Sequence, residues 1–146
     1  MPKHVNIFLA IGALLSASAA VLHLFMIVGG PNWYRFFGAG ERFARAAAQG
    51  RYYPAVITTG IAAVLGLWSI YALAGAGAIH GLPLLRPVLI VITTIYVVRG
   101  LAFAPAVLAA GRPVTPFILW SSAICLGIGI VHLVGLIQRW PALRPT

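Results

Sequence analysis

The sequence contains almost no negative charge. Aspartate is absent from the 146 residues and Glu41 is the single acidic side chain, whereas Lys and Arg number ten, so the formal net charge is +9. In a soluble protein this excess would suggest nucleic acid, but the arginines lie scattered between apolar segments rather than on one basic face. We therefore expect anionic lipid headgroups, and no nucleic acid, as partners.

Cysteine is equally scarce, which limits metal chemistry. Cys125 stands alone, so an internal disulfide and a thiolate cluster are both excluded. His23 and His132 could suggest a haem, but their heights in the membrane should differ by about 13 Å, too far for one iron. His4, His80 and His132 should lie toward one membrane face, where no carboxylate joins them. The sequence therefore predicts no metal centre and no cofactor.

Charged residues of any sign are rare, and long apolar runs take their place. Charged residues make up 8% of the chain and hydrophobic residues 62%, against about 25% and about 45–50% in soluble domains. Four runs approach the ~20 residues that cross a bilayer as a helix. They cover residues 5–28, 55–74, 87–109 and 117–137. The prediction is an all-α, antiparallel four-helix transmembrane bundle that forms a single integral membrane domain over residues 1–146.

The first run has one feature of a secretory signal. The small residues "SASAA" at 16–20 resemble a cleavage site. The apolar run nevertheless continues through "VLHLFMIV" to residue 28, so we expect an uncleaved first span.

The long connection after the first span has a pattern of its own. On a helical wheel over residues 40–49, Glu41, Arg42 and Arg45 share a polar arc, and Phe43 lies on the opposite side. Aromatic residues flank this segment, as they do at membrane interfaces. The pattern predicts a short interfacial amphipathic helix.

Two charged residues nominate a site. Arg99 lies within the third span, where an arginine costs ~2.5–3.5 kcal/mol on insertion scales. It either snorkels to the interface or pairs with Glu41, and Glu41 could instead pair only with Arg45, four residues later. The pairing of Arg99 with Glu41 would form a polar pocket at one mouth of the bundle. That candidate pocket contains His23, Tyr34, Glu41, Tyr96, Arg99, Ser121 and Ser122.

Three segments resemble small four-span bacterial inner-membrane proteins: "PNWYRFFGAGE" (31–41), "LPLLRP" (82–87) and "YVVRG" (96–100). The resemblance implies a multi-pass protein of the bacterial inner membrane and assigns no catalytic residue. We expect a membrane binding or accessory protein for a lipid-like ligand, a membrane protein partner or a second copy of itself. A small carrier or channel subunit is one alternative. A membrane enzyme that uses Glu41 and His23 as acid and base is the other.

Overall fold

The computed structural model describes residues 5–80 and 82–143. Within these residues the chain is entirely helical, with five α-helices and no β-strand. His4, which the sequence places among the histidines of one membrane face, lies outside the described residues. The helices are α1 (Ile7–Phe36), α2 (Glu41–Ala48), α3 (Tyr53–Ala76), α4 (Leu85–Ala109) and α5 (Pro116–Arg139), followed by a 3₁₀ turn at Trp140–Ala142.

The first helix is longer than the predicted span because it continues beyond a sharp break. At Gly30 the backbone has φ 69° and ψ −151°, a region that only glycine occupies without strain. Pro31 follows at a position where its fixed φ suits the start of a new helical segment. The break lies about 35 Å along the axis from Ile7, beyond a ~30 Å hydrocarbon core. It therefore separates the part of α1 that is long enough to cross a membrane from a short second helical segment.

The contacts divide the chain into two units, one formed by residues 1–16 and 68–146 and the other by residues 17–67. In the first unit, α4 and α5 approach each other through glycines. Gly100 lies against the backbone of Leu126, and Gly129 lies against Val97. From Val97 to Gly100 the contact advances along α4, while its partner moves back along α5 from Gly129 to Leu126. The two helices are therefore antiparallel. Small residues allow this approach in a bilayer, where packing rather than hydrophobic burial drives association.

The start of α1 and the end of α3 complete four-helix packing in the first unit. Ser69 of α3 donates a hydrogen bond to the carbonyl of Ala13 at 2.8 Å. The ring of His132 of α5 lies across Gly12, so closely that a methyl group there would be 2.7 Å from the ring. Trp68 and Tyr96 join α3 to α4, with ring centroids 5.2 Å apart. The predicted antiparallel four-helix plan is confirmed.

The second unit is organised around α2. The apolar side of α2 is buried: Ala44 is fully covered and Ala46 is 4% exposed, whereas its charged residues face outward. Tyr34, at 2% exposure, packs against Phe43 with ring centroids 6.2 Å apart. The short amphipathic helix predicted over residues 40–49 is therefore present, with its apolar side covered by the end of α1.

The exposed surfaces of the long helices are apolar, which indicates that they are surrounded by lipid rather than water. Four helices among the described residues are long and apolar enough to cross a membrane, and no more than 28% of each apolar window is buried inside the protein. Large apolar side chains such as Leu14, Val56, Val98 and Ile124 are exposed on them. Exposure on this scale is unstable in water but is required of a surface that meets lipid. The chain is a multi-pass integral membrane protein.

Candidate functional site

Glu41, at the start of α2, is held by two arginines on the surface of the second unit. Arg35 Nε donates to Glu41 Oε2 at 2.9 Å and its Nη2 donates to Oε1 at 3.2 Å, a bidentate pair. Arg45 Nε donates to Oε1 at 3.1 Å. The local pair with Arg45 is confirmed. Helical spacing did not predict the contact with Arg35, which becomes a neighbour because the turn at Gly38 and Gly40, both with positive φ, reverses the chain.

These two arginines make Glu41 a poor proton acceptor. Hydrogen bonds from Arg35 and then Arg45 lower the pKa of the Glu41 carboxyl from 4.5 to about 2. A general base works best when its pKa lies near the operating pH. His23, the other residue of the acid and base hypothesis, has its Nδ1 2.8 Å from the carbonyl oxygen of Ala19 in its own helix. This geometry supports an ion pair at Glu41 rather than catalysis.

Arginines on the outer side of α2 and just after it line a shallow concavity of ≈ 400 Å³. We call it the arginine surface. Its lining residues are Glu41, Arg42, Arg45, Ala46, Gln49, Arg51 and Tyr53. Within residues 5–80 and 82–143 the side chains of Arg42 and Arg51 have no carboxylate partner, because Glu41 is bound to Arg35 and Arg45. The Tyr53 hydroxyl donates to the Arg42 carbonyl at 3.3 Å and thereby links the start of α3 to α2.

Three of the predicted pocket residues come together in the first unit. Arg99 Nη1 donates to Ser122 Oγ at 3.2 Å, and its Nη2 donates to Ser121 Oγ at 3.4 Å. The guanidinium carbon also lies 3.7 Å from the ring centroid of Phe103, one turn later in α4. The sequence predicted these three residues at one mouth of the bundle, but it could not predict their hydrogen bonds, since the serines belong to the next helix. The pair of Arg99 with Glu41 stays a prediction.

Tyr96 belongs to a different cluster of the first unit. Its hydroxyl lies 3.0 Å from Ser16 Oγ, and its ring packs against His132 with centroids 5.3 Å apart. His132 is fully buried, and its Nδ1 is 2.9 Å from the carbonyl of Ile128. Among the described residues its Nε2 has no hydrogen-bond partner. Tyr96 is 4% exposed and forms part of the packed interior rather than the wall of an open pocket.

The remaining member of the predicted pocket, Tyr34, is also a packing residue. Its hydroxyl oxygen lies 3.3 Å from Thr58 Oγ1, within hydrogen-bond distance, inside the second unit. Thr58 donates to the carbonyl of Pro54 at 2.7 Å. Tyr34 therefore links the end of α1 to the start of α3 and packs against α2 through Phe43.

Comparisons with known proteins assign no family to this arrangement. No family model, curated protein or solved structure matches the chain. The fold itself defines a four-helix multi-pass membrane protein with two charged clusters.

Proposed function

We propose that the protein is a membrane-embedded binding protein that holds the headgroup of an anionic phospholipid on the arginine surface. The observation that carries this proposal is the pair of arginines, Arg42 and Arg51, that line the concavity without a carboxylate partner among the described residues. The chain has no second acidic side chain to neutralise them. An anion from the bilayer is the partner closest at hand.

The position of α2 supports a lipid rather than a soluble anion. The helix follows the short segment after the Gly30 break, where Trp33 and Phe36 are exposed. Exposed aromatic residues of this kind favour the headgroup level of a bilayer. With Ala44 and Ala46 buried against the second unit, the arginines of α2 face outward at that level. Arginine recognises phosphate oxygens in bidentate geometry, which suits a phosphodiester headgroup.

The other functions considered from the sequence receive less support. A carrier is expected to have a broken helix at mid-depth, whereas the Gly30 break lies at the end of the span. An acid and base enzyme needs a carboxyl whose pKa lies nearer neutrality than that of Glu41. An accessory role beside another membrane protein, or in an oligomer of this chain, is compatible with lipid binding, and we propose the bacterial inner membrane as the location.

Lipid titration of the purified full-length protein, followed by native mass spectrometry, tests the proposal. Phosphatidylglycerol should bind more tightly than phosphatidylcholine. Each arginine near an anionic surface contributes about 1 kcal/mol, so Arg42→Gln and Arg51→Gln should each weaken phosphatidylglycerol binding about fivefold and the double variant about 30-fold.

Arg112→Gln is the matched control, because Arg112 is an exposed arginine in the third connection, outside the concavity. It should reduce phosphatidylglycerol binding less than either α2 variant. If the three single variants lose the same affinity, the binding is a general effect of net charge and the arginine surface is not a site.

A further inference from the structure

Arg99 is a cation inside a membrane-crossing helix, and the groups that contact it are neutral. Its partners among the described residues are the hydroxyls of Ser121 and Ser122 and the ring of Phe103. We propose that Arg99, together with Ser122 and Phe103, binds the anionic head of an acyl-chain amphiphile that reaches it from the bilayer. This site lies on α4 and α5 of the first unit, whereas the arginine surface of the proposed function belongs to the second unit.

The direction of the Arg99 side chain places its charge near one end of the span. The neighbouring Gly100 faces Leu126, whereas the guanidinium reaches Ser122 and Ser121, about one turn closer to the start of α5. Helical side chains by default lean toward the helix amino terminus, but this one runs toward the carboxyl end of α4. Ser121 lies about 8 Å along the axis from Pro116, the first residue of α5. The guanidinium is thus at the depth where acyl chains meet their polar heads.

The hydrogen bonds of the cluster leave donors for a ligand. A guanidinium has five N–H groups, and the two serines accept one from each terminal nitrogen. Three remain, including the Nε–H, and they can bind two oxygens of one anion in parallel. The Ser121 hydroxyl donates to the carbonyl of Ile118 at 3.1 Å. Ser122 Oγ accepts from Arg99, so its own proton is available to the same anion.

The first unit, to which Arg99 belongs, contains no acidic side chain. Both oxygens of Glu41, the single acidic side chain, already accept hydrogen bonds from Arg35 and Arg45. A buried or half-buried cation without an anion is costly in hydrocarbon, so an external anion stabilises the cluster. An anionic group with two equivalent oxygens at the end of an acyl chain matches the remaining guanidinium donors. Two kinds of lipid have such a group: a fatty acid has a carboxylate, and a phospholipid has a phosphate.

Two matched ligand pairs separate these sources in the full-length protein. Oleate is compared with oleyl alcohol, which has the same chain without charge, and phosphatidylglycerol is compared with phosphatidylcholine. Binding is measured by native mass spectrometry for the wild type, Arg99→Gln, Arg99→Lys and the control Arg112→Gln. The phosphatidylglycerol pair is measured with Arg42 and Arg51 replaced by Gln in every protein, so that the arginine surface does not contribute. Removal of a charged bidentate donor should weaken the preferred anionic ligand about tenfold or more, while Arg112→Gln should leave this binding event unchanged.

Each outcome either supports the Arg99 site or contradicts it. Loss of oleate binding in Arg99→Gln assigns the site to carboxylates, and loss of the corresponding phosphatidylglycerol event assigns it to phosphates. Arg99→Lys keeps the charge and covers the case in which Arg99→Gln does not fold; it should lose most of the preference, because an ammonium cannot bind two oxygens in parallel. Unchanged binding in both Arg99 variants, or equal loss in Arg112→Gln, overturns the proposal. Loss in Arg112→Gln alone would also contradict this site.

Discussion

Gly100 holds α4 and α5 at the distance that lets Arg99 reach α5, so its substitution tests the packing on which the Arg99 cluster depends. A Cβ added at Gly100 would lie 2.6 Å from the backbone nitrogen of Leu126 and 2.7 Å from its Cα. Backbone atoms cannot rotate away, so Gly100→Ala must push the helices apart. Overpacking of this kind costs up to ~3 kcal/mol, and the better helix propensity of alanine returns ~1 kcal/mol, which leaves a net loss of about 2 kcal/mol.

The matched control lies on the facing helix. Gly127 of α5 has nothing within 4 Å of an added Cβ, so Gly127→Ala should be neutral or stabilising by up to ~1 kcal/mol. Both free energies of unfolding can be measured by titration with sodium dodecyl sulfate in mixed micelles, followed by circular dichroism. Gly100→Ala should also weaken ligand binding at Arg99. Equal stability of the two variants would refute the close approach of α4 and α5 at this position.

Three further predictions concern the second unit. The pKa of Glu41 is lowered from 4.5 to about 2, so the stabilising effect of the ionised carboxylate is complete above pH 4.5 and is lost as the pH falls toward 2. The thermal midpoint of unfolding should therefore fall between pH 4.5 and pH 2 in the wild type and stay constant in Glu41→Gln. Gly30→Ala should lower the free energy of unfolding by ~1–3 kcal/mol through backbone strain alone, since nothing lies within 4 Å of the added Cβ. Gly60→Ala, inside α3 and equally unobstructed, should not destabilise the protein. Equal effects of the two substitutions would contradict the break in α1. Spin labels at Arg42 and Phe43 should differ in access to a water-soluble quencher, and equal access would exclude an α2 with one covered side.

Much of the fold was predictable because hydrophobic run length and helical periodicity are local properties of the sequence. The ends of the spans differ by only a few residues from the prediction, except at α1, where the helical segment after Pro31 is too short and too mixed in character to be recognised. The amphipathic pattern at 40–49 located α2 for the same local reason.

The candidate site was harder to predict because its contacts are not local. Arg45 could be paired with Glu41 from helical spacing, but Arg35 becomes a partner only through the turn that precedes α2. Likewise the serines of α5 meet Arg99 through the register of two antiparallel helices, which the glycines at the crossing determine. Tyr34 was predicted to line a pocket, but the structure places it in the packed interior, since a tyrosine near an interface can satisfy its hydroxyl in either place.

Contact between lipid phosphate and Arg42 and Arg51 of the arginine surface is tested most directly by solid-state NMR in phosphatidylglycerol bilayers. With arginine side chains labelled with ¹⁵N, dipolar dephasing by lipid ³¹P reports direct contact between guanidinium and phosphate. We expect strong dephasing that decreases when Arg42 and Arg51 are both replaced by Gln and decreases less in Arg112→Gln. Dephasing that is unchanged in the double variant, or lost equally in Arg112→Gln, would contradict it.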